Sequence, residues 1–94
     1  MIPDGAVVRN DDRSRYELVA DGAVVGIAEF VVQGNRVVVP HTEIVAHLRG
    51  QGLGAVLVRG VLDDIRSSGR SVVPHCWYVA EFVDAHPEYA DLVG

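Results

Sequence analysis

The first 45 residues alternate apolar and polar positions with the period of two that is typical of β-strands. In residues 15–20, Tyr16, Leu18 and Ala20 share one face, and the Asp-Gly pair that follows supplies the positive-φ residues of a tight hairpin. The predicted strands are residues 6–9, 15–20, 23–32 and 36–45, separated by polar or glycine-containing turns. The pattern therefore predicts a four-stranded antiparallel meander.

Beyond Gly52 the period changes to that of an amphipathic helix. The apolar stripe consists of Leu53, Leu57, Val58, Val61, Leu62 and Ile65, and Ser67-Ser68-Gly69 ends it. Residues 70–75 then form a short strand, which we expect to complete a right-handed crossover beside the strand at 36–45. A second helix covers residues 77–85 and ends at His86-Pro87, and residues 88–92 add a turn or pack as a tail. The predicted order is β-β-β-β-α-β-α, an α+β single domain over residues 1–94 with a mixed sheet.

Composition and charge exclude several classes of function. The net charge is −5, and all eight basic residues are arginines. Without lysine there is no phosphate-loop lysine and no Schiff base, and the acidic balance argues against binding to nucleic acid or to an anionic membrane. The single cysteine, Cys76, cannot form an internal disulfide and indicates a reducing compartment. No apolar run has the length of a signal peptide or a membrane helix, so we expect a cytoplasmic monomer.

The most informative segment is the junction between the fourth strand and the first helix. Residues 49–54 read Arg-Gly-Gln-Gly-Leu-Gly, and three alternate glycines leave the first amides of the helix uncovered. These amides and the helix dipole favour an anion such as a pyrophosphate, and Arg49 adds a permanent cation. The third glycine of a dinucleotide fingerprint would fall at Ala55, so that motif does not match. The glycines could instead serve only a sharp turn and close packing.

Three motifs together resemble a known family. Residues 49–54 match the acetyl-coenzyme A signature of the GNAT N-acetyltransferase superfamily. His41-Thr42-Glu43 before that loop and Cys76-Trp77-Tyr78-Val79 before a helix with Phe82 resemble a family of very small GNAT-like proteins. The likeness runs from about Tyr16 to Leu92.

This resemblance implies a sheet that splays near its centre and an acetyl-coenzyme A (acetyl-CoA) site in the opening. The backbone near Ile44 and Val45 would pair with the pantetheine arm of CoA, and Tyr78 would contribute to the same site. The implied pyrophosphate-binding residues are Arg49, Gly50, Gln51, Gly52, Leu53 and Gly54. The implied activity is transfer of an acetyl group to an amine acceptor, which is either a small molecule or a protein. The two helices that usually follow the first strand are missing, because only residues 10–14 separate the first two strands.

His41 and Glu43 are candidate catalytic groups on the fourth strand. Alternation places both on the face of Val37 and Val39, unless a bulge at Pro40 shifts the register. An imidazole that titrates near neutrality can take the proton of an attacking amine, and Glu43 could orient it, bind a cationic amine or act as the base itself. The alternative is that both residues lie on a solvent-facing edge without a catalytic role.

Cys76 is the third candidate catalytic residue. It precedes a helix N-terminus, where the thiolate is favoured. It could accept the acetyl group, protonate the departing thiolate in place of Tyr78, or serve only as a small apolar core residue. We expect Trp77 and Phe82 to lie in the core, and His47 and His75 are weaker candidates. The histidines lack the spacing of a metal site, so no metal is assigned. A CoA-binding module without turnover is the second hypothesis for the whole chain.

Overall fold

Five strands form one mixed sheet in the order β1-β2-β3-β4-β5 in a computed structural model that describes residues 5–94. The strands are β1 (Gly5–Asn10), β2 (Arg15–Ala20), β3 (Ala23–Gln33), β4 (Arg36–Ile44) and β5 (Ser71–Val73). The helices are α1 (Leu53–Ser67) and α2 (Trp77–Ala85), with short 3₁₀ helices at Asp11–Arg13, Ala46–Leu48 and Pro87–Leu92. The first four strands pair antiparallel, and β5 pairs parallel with β4. The predicted meander, the element order and the position of the last strand are confirmed.

Both helices pack on the same face of the sheet. Along β2, Tyr16, Leu18 and Ala20 are buried beneath them, whereas the alternate residues on the other face are only half-buried. The Arg59 guanidinium of α1 lies 5.4 Å from the ring centroid of Phe82 in α2, which joins the two helices. The shortest extent of the molecule is 20 Å, which is the thickness of one sheet and one helix layer. Within residues 5–94, no element covers the second face of the sheet.

A bulge in β4 corrects one part of the sequence interpretation. Glu29 pairs with His41 but Val31 pairs with Val38, so β4 has one extra residue beside Pro40. The bulge that the sequence analysis allowed for at Pro40 is present, and its cause is that proline cannot donate to the ladder. The extra residue reverses the alternation, so Thr42 takes the helix-facing side. His41 and Glu43 do not share the face of Val37 and Val39 but lie on the uncovered face.

The sheet opens between β4 and β5 beyond the third residue pair. Their parallel pairing ends at Val38 and Val73. The next residue on one strand is Pro74 and the bulge of the other includes Pro40, so neither proline supplies an N–H for further pairing. The amide of Cys76 donates instead to the carbonyl of Val39 at 2.9 Å, where the chain turns into α2. The strand predicted at residues 70–75 is therefore shorter than expected, and a cleft replaces its second half.

No helix in the described part of the chain, residues 5–94, combines the length and the apolar character needed to cross a membrane.

Candidate active site

A cleft of about 520 Å³ opens where β4 and β5 diverge. Its walls are the second half of β4, the start of α1 and the start of α2. The lining residues are Pro40, His41, Thr42, Glu43, Ile44, Arg49, Gly54, Leu57, His75, Cys76, Trp77 and Tyr78. The two prolines that end the pairing thus create a space where three candidate catalytic residues and part of the glycine loop meet.

Cys76 lies at the inner wall of the cleft and is only 8% exposed. Its Sγ atom is 3.4 Å from the Thr42 hydroxyl oxygen. Burial acts to raise the pKa of the Cys76 thiol. The Thr42 hydroxyl and the backbone amides of Val79, Tyr78 and Thr42 favour the thiolate more strongly, so the pKa is lowered. The free thiol is therefore a stronger acid than an ordinary cysteine.

Replacing Thr42 with valine is expected to raise the pKa of the Cys76 thiol, because the hydroxyl that stabilises the thiolate is lost. The measurement is the rate of alkylation by iodoacetamide as a function of pH, whose midpoint should move to higher pH. Thr42→Ser retains the hydroxyl and is the matched control, with its midpoint near that of the wild type. An unchanged midpoint in Thr42→Val would show that the hydroxyl does not control the thiol.

Tyr78 lies against the first turn of α1. A Cβ atom built on Gly54 would come 2.8 Å from the Tyr78 hydroxyl oxygen, so only glycine allows this approach. Burial and the negative charge of Glu81 raise the pKa of Tyr78. Tyr78 is thus a weaker acid than an ordinary tyrosine, whereas Cys76 is a stronger acid than an ordinary thiol. Both proton donors considered from the sequence line the cleft.

The glycine loop combines tight turns with uncovered amides. Gly50 and Gly52 adopt positive φ angles of 82° and 81°, a conformation that L side chains rarely adopt. Gly52 is the N-cap of α1, no side chain caps the helix, and its first turn contains no acidic residue. Arg49 donates from Nε to the carbonyl of Ile44 at 3.0 Å, which holds its guanidinium beside the loop. The left-handed turns therefore account for Gly50 and Gly52, and the first amides of α1 have no side-chain cap.

The edge of β4 that faces the cleft is free of strand pairing. The Val45 amide donates to the Val25 carbonyl, and Glu43 lies opposite Ile27 in the same register. Because bonding alternates along an antiparallel ladder, the backbone groups of Thr42 and Ile44 point away from β3 and into the opening. The Ile44 carbonyl accepts from Arg49 and the Thr42 amide faces the Cys76 thiol, so the Thr42 carbonyl and the Ile44 amide are the groups left for an extended ligand.

His41 and Glu43 lie at the mouth of the cleft on the uncovered face of the sheet. The His41 Nε2 and Glu43 Oε2 atoms are 3.9 Å apart, and their side chains are 53% and 56% exposed. The pair is therefore accessible to a ligand from solvent while it lines the same cleft as Cys76.

The structure brings most of the sequence-predicted site residues to this cleft, with some differences. His47 does not line it, whereas His75 does. Phe82 is buried as expected, but the prediction that Trp77 lies in the core is wrong, because it is 72% exposed at the cleft. Thr42 was missed as a site residue, since only the bulge turns it toward Cys76. Val45 borders the neighbouring hollow beside Ile44 and Arg49. Within residues 5–94, no group of three or more His, Cys, Asp or Glu side chains could hold a metal ion.

Comparisons with known proteins agree on one family. A family model described as GCN5-related N-acetyl-transferase matches residues 15–92. The fold is similar to the NMR solution structure of a GCN5-like N-acetyltransferase candidate from Staphylococcus aureus, with a TM-score of 0.70. The sequences are 16% identical, and the match covers 95% of this chain and 87% of that chain. No curated protein matches the sequence.

Proposed function

This chain belongs to the GCN5-related N-acetyltransferase family, and from that premise we propose that it transfers an acetyl group from acetyl-CoA to an amine. The observation that carries the proposal is the cleft in which the free edge of β4, the two ends of the glycine loop, Cys76 and the His41–Glu43 pair come together. Family membership supports an acyl-transfer activity, and the arrangement of these groups supports this particular reaction.

The residues present fit CoA at two places. The uncapped first turn of α1, the left-handed glycines and Arg49 suit a pyrophosphate, because the turn offers backbone amides and contains no acidic residue, and Arg49 adds a cation. The Thr42 carbonyl and the Ile44 amide, which have no strand partner on the cleft side, suit the amide groups of a pantetheine arm. Gly54 and Tyr78 would line the same passage. When bound, acetyl-CoA supplies an acetyl group activated as a thioester.

The side chains of the cleft then divide the proton transfers between them. His41 takes the proton of the attacking amine, directly or through water, and Glu43 holds the imidazolium that results. A carbon–nitrogen bond forms as the carbon–sulfur bond breaks, and Cys76 gives its proton to the departing sulfur. Thr42 and the nearby amides stabilise the Cys76 thiolate that remains. The proton on His41 returns to Cys76 through solvent, so the net products from a neutral amine are an amide and free CoA.

Calorimetric titration tests whether the chain binds the acetyl donor. CoA and acetyl-CoA are expected to bind saturably to one site per chain. The single tryptophan lines the cleft and is largely exposed, so its fluorescence should change over the same concentration range. Absence of saturable binding of both ligands at millimolar concentration would overturn the proposal.

A further inference from the structure

The uncovered face of the sheet has the composition of a docking surface. We call it the open face and define it by the outward side chains of β2, β3 and β4. Its members are Arg15, Glu17, Val19, Ile27, Glu29, Val31, Val38, His41 and Glu43. None of them is buried, and Val31 is 50% exposed. Four apolar side chains thus lie beside the catalytic candidates on a surface that solvent reaches.

The open face carries more acidic than basic side chains. Arg15 donates from Nε to Glu17 at 2.9 Å and its NH2 group lies 2.9 Å from the same carboxylate oxygen, so these two charges compensate each other. Within residues 5–94, Glu29 forms no ion pair, and Glu43 pairs with His41 alone. Glu29 lies directly opposite His41 in the ladder, and Glu43 follows two residues later on the same face. Two carboxylates therefore flank the imidazole. Arg15 is the cross-strand neighbour of Glu29, but its guanidinium is held by Glu17, so within residues 5–94 no cation forms an ion pair with Glu29.

From this surface we propose that the open face docks the acetyl acceptor, and that the acceptor is a lysine-bearing segment of a polypeptide. The inference rests on the proposed function, because His41 and Glu43 line the cleft that would hold the acetyl donor. An ammonium group between Glu29 and Glu43 would reach His41 at the cleft mouth. The valine and isoleucine side chains further along the face match the apolar side chains that flank a lysine in a chain, whereas a small free amine would leave them uncovered. The net charge of −5 favours the encounter with a basic segment.

Mapping of amide shifts tests the docking independently of catalysis. Nitrogen-15-labelled protein, with and without CoA, is titrated with a synthetic peptide that contains one central lysine between valine and serine residues. The peptide is expected to shift the amides of residues 15–19, 27–31, 38 and 41–43, and the same peptide with glutamine in place of lysine should shift them much less. Shifts confined to α1 and α2, or none, would overturn the docking proposal. Absence of CoA binding by calorimetry would overturn the proposed function instead, so the two failures are distinguishable.

Two variants connect the open face to turnover. Glu29→Gln is expected to raise KM for the peptide about threefold at low salt while kcat stays near the wild-type value. Val31→Arg should raise it about tenfold, because it adds a repelling cation and removes an apolar contact. Asp84→Asn removes the same charge from an exposed position on α2 and is the matched control, without effect on KM. Equal KM values in all three variants would contradict docking on this face.

A second copy of the chain is the competing occupant of the open face. Sedimentation velocity over a range of protein concentrations is expected to show a monomer. A dimer whose dissociation on dilution shifts the same open-face amides would show that the surface is a self-interface and would overturn the proposal.

Discussion

Replacing Cys76 with alanine is expected to lower kcat by roughly 100-fold or more, the usual range for loss of a positioned proton donor. The affinity for CoA should stay within a few-fold of the wild type, because the contacts proposed for the pyrophosphate and the pantetheine lie on the glycine loop and the β4 edge. The measurement is the release of free CoA thiol in the presence of an amine, together with calorimetric titration of CoA. Cys76→Ala is expected to fold, because the substitution removes only a small volume from a nearly buried site.

Mass spectrometry distinguishes whether Cys76 acts as an acid or as a nucleophile. Under direct transfer, intact mass spectrometry of enzyme quenched during turnover should show no acetyl adduct on Cys76. An adduct that forms and decays at the rate of turnover would show that the acetyl group passes through the sulfur. Unchanged kcat in Cys76→Ala would remove the residue from the chemistry and leave it as a core side chain.

Gly52→Asp is expected to weaken CoA binding by about 100-fold or more. The new carboxylate would lie at the N-cap of α1, next to the place proposed for the pyrophosphate. A like charge at about 4 Å costs roughly 4 kcal/mol at the effective dielectric constant of a protein surface, and every 1.4 kcal/mol is tenfold in affinity. The measurement is calorimetric titration of CoA into each variant.

Gly34→Asp is the matched control for this change. Gly34 also has a positive φ, of 63°, and a Cβ atom there would meet no atom within 4 Å. It lies in the β3–β4 turn, at the far end of the nine-residue strand β4, roughly 30 Å from the loop. The control therefore also places an aspartate at a positive φ and adds the same charge, and its CoA affinity should equal that of the wild type. Equal loss of affinity in both variants would indicate general destabilisation, not an anion site.

Local patterns in the sequence predict most of the fold. The alternation in β2 and the stripe from Leu53 to Ile65 each have one buried face in the structure, because burial imposes the periods of strand and helix. Pro40 predicts the bulge, since a missing N–H is a property of the residue itself. The glycine loop could also be predicted from local sequence, because the left-handed backbone at Gly50 and Gly52 favours glycine at those positions.

The arrangement of the site could be predicted only in part. The bulge shifts the register of β4 by one residue relative to β3. This shift depends on how the two strands pair, and the sequence of β4 alone does not specify that pairing. The contact between Thr42 and Cys76 joins residues 34 positions apart and exists only in the folded chain. Trp77 was expected in the core because large apolar side chains are scarce here, but its position at the start of α2 directs it outward over the cleft.

The central claim is that the cleft delivers an acetyl group from acetyl-CoA to an amine, and release of free CoA thiol tests it most directly. With acetyl-CoA present, the rate of release is expected to rise with the concentration of the lysine peptide and to saturate, with one acetylated amine formed for each thiol released. Release that is no faster with any amine, peptide or small molecule, than without one, in protein that binds CoA, would contradict the claim and leave a CoA-binding module without turnover.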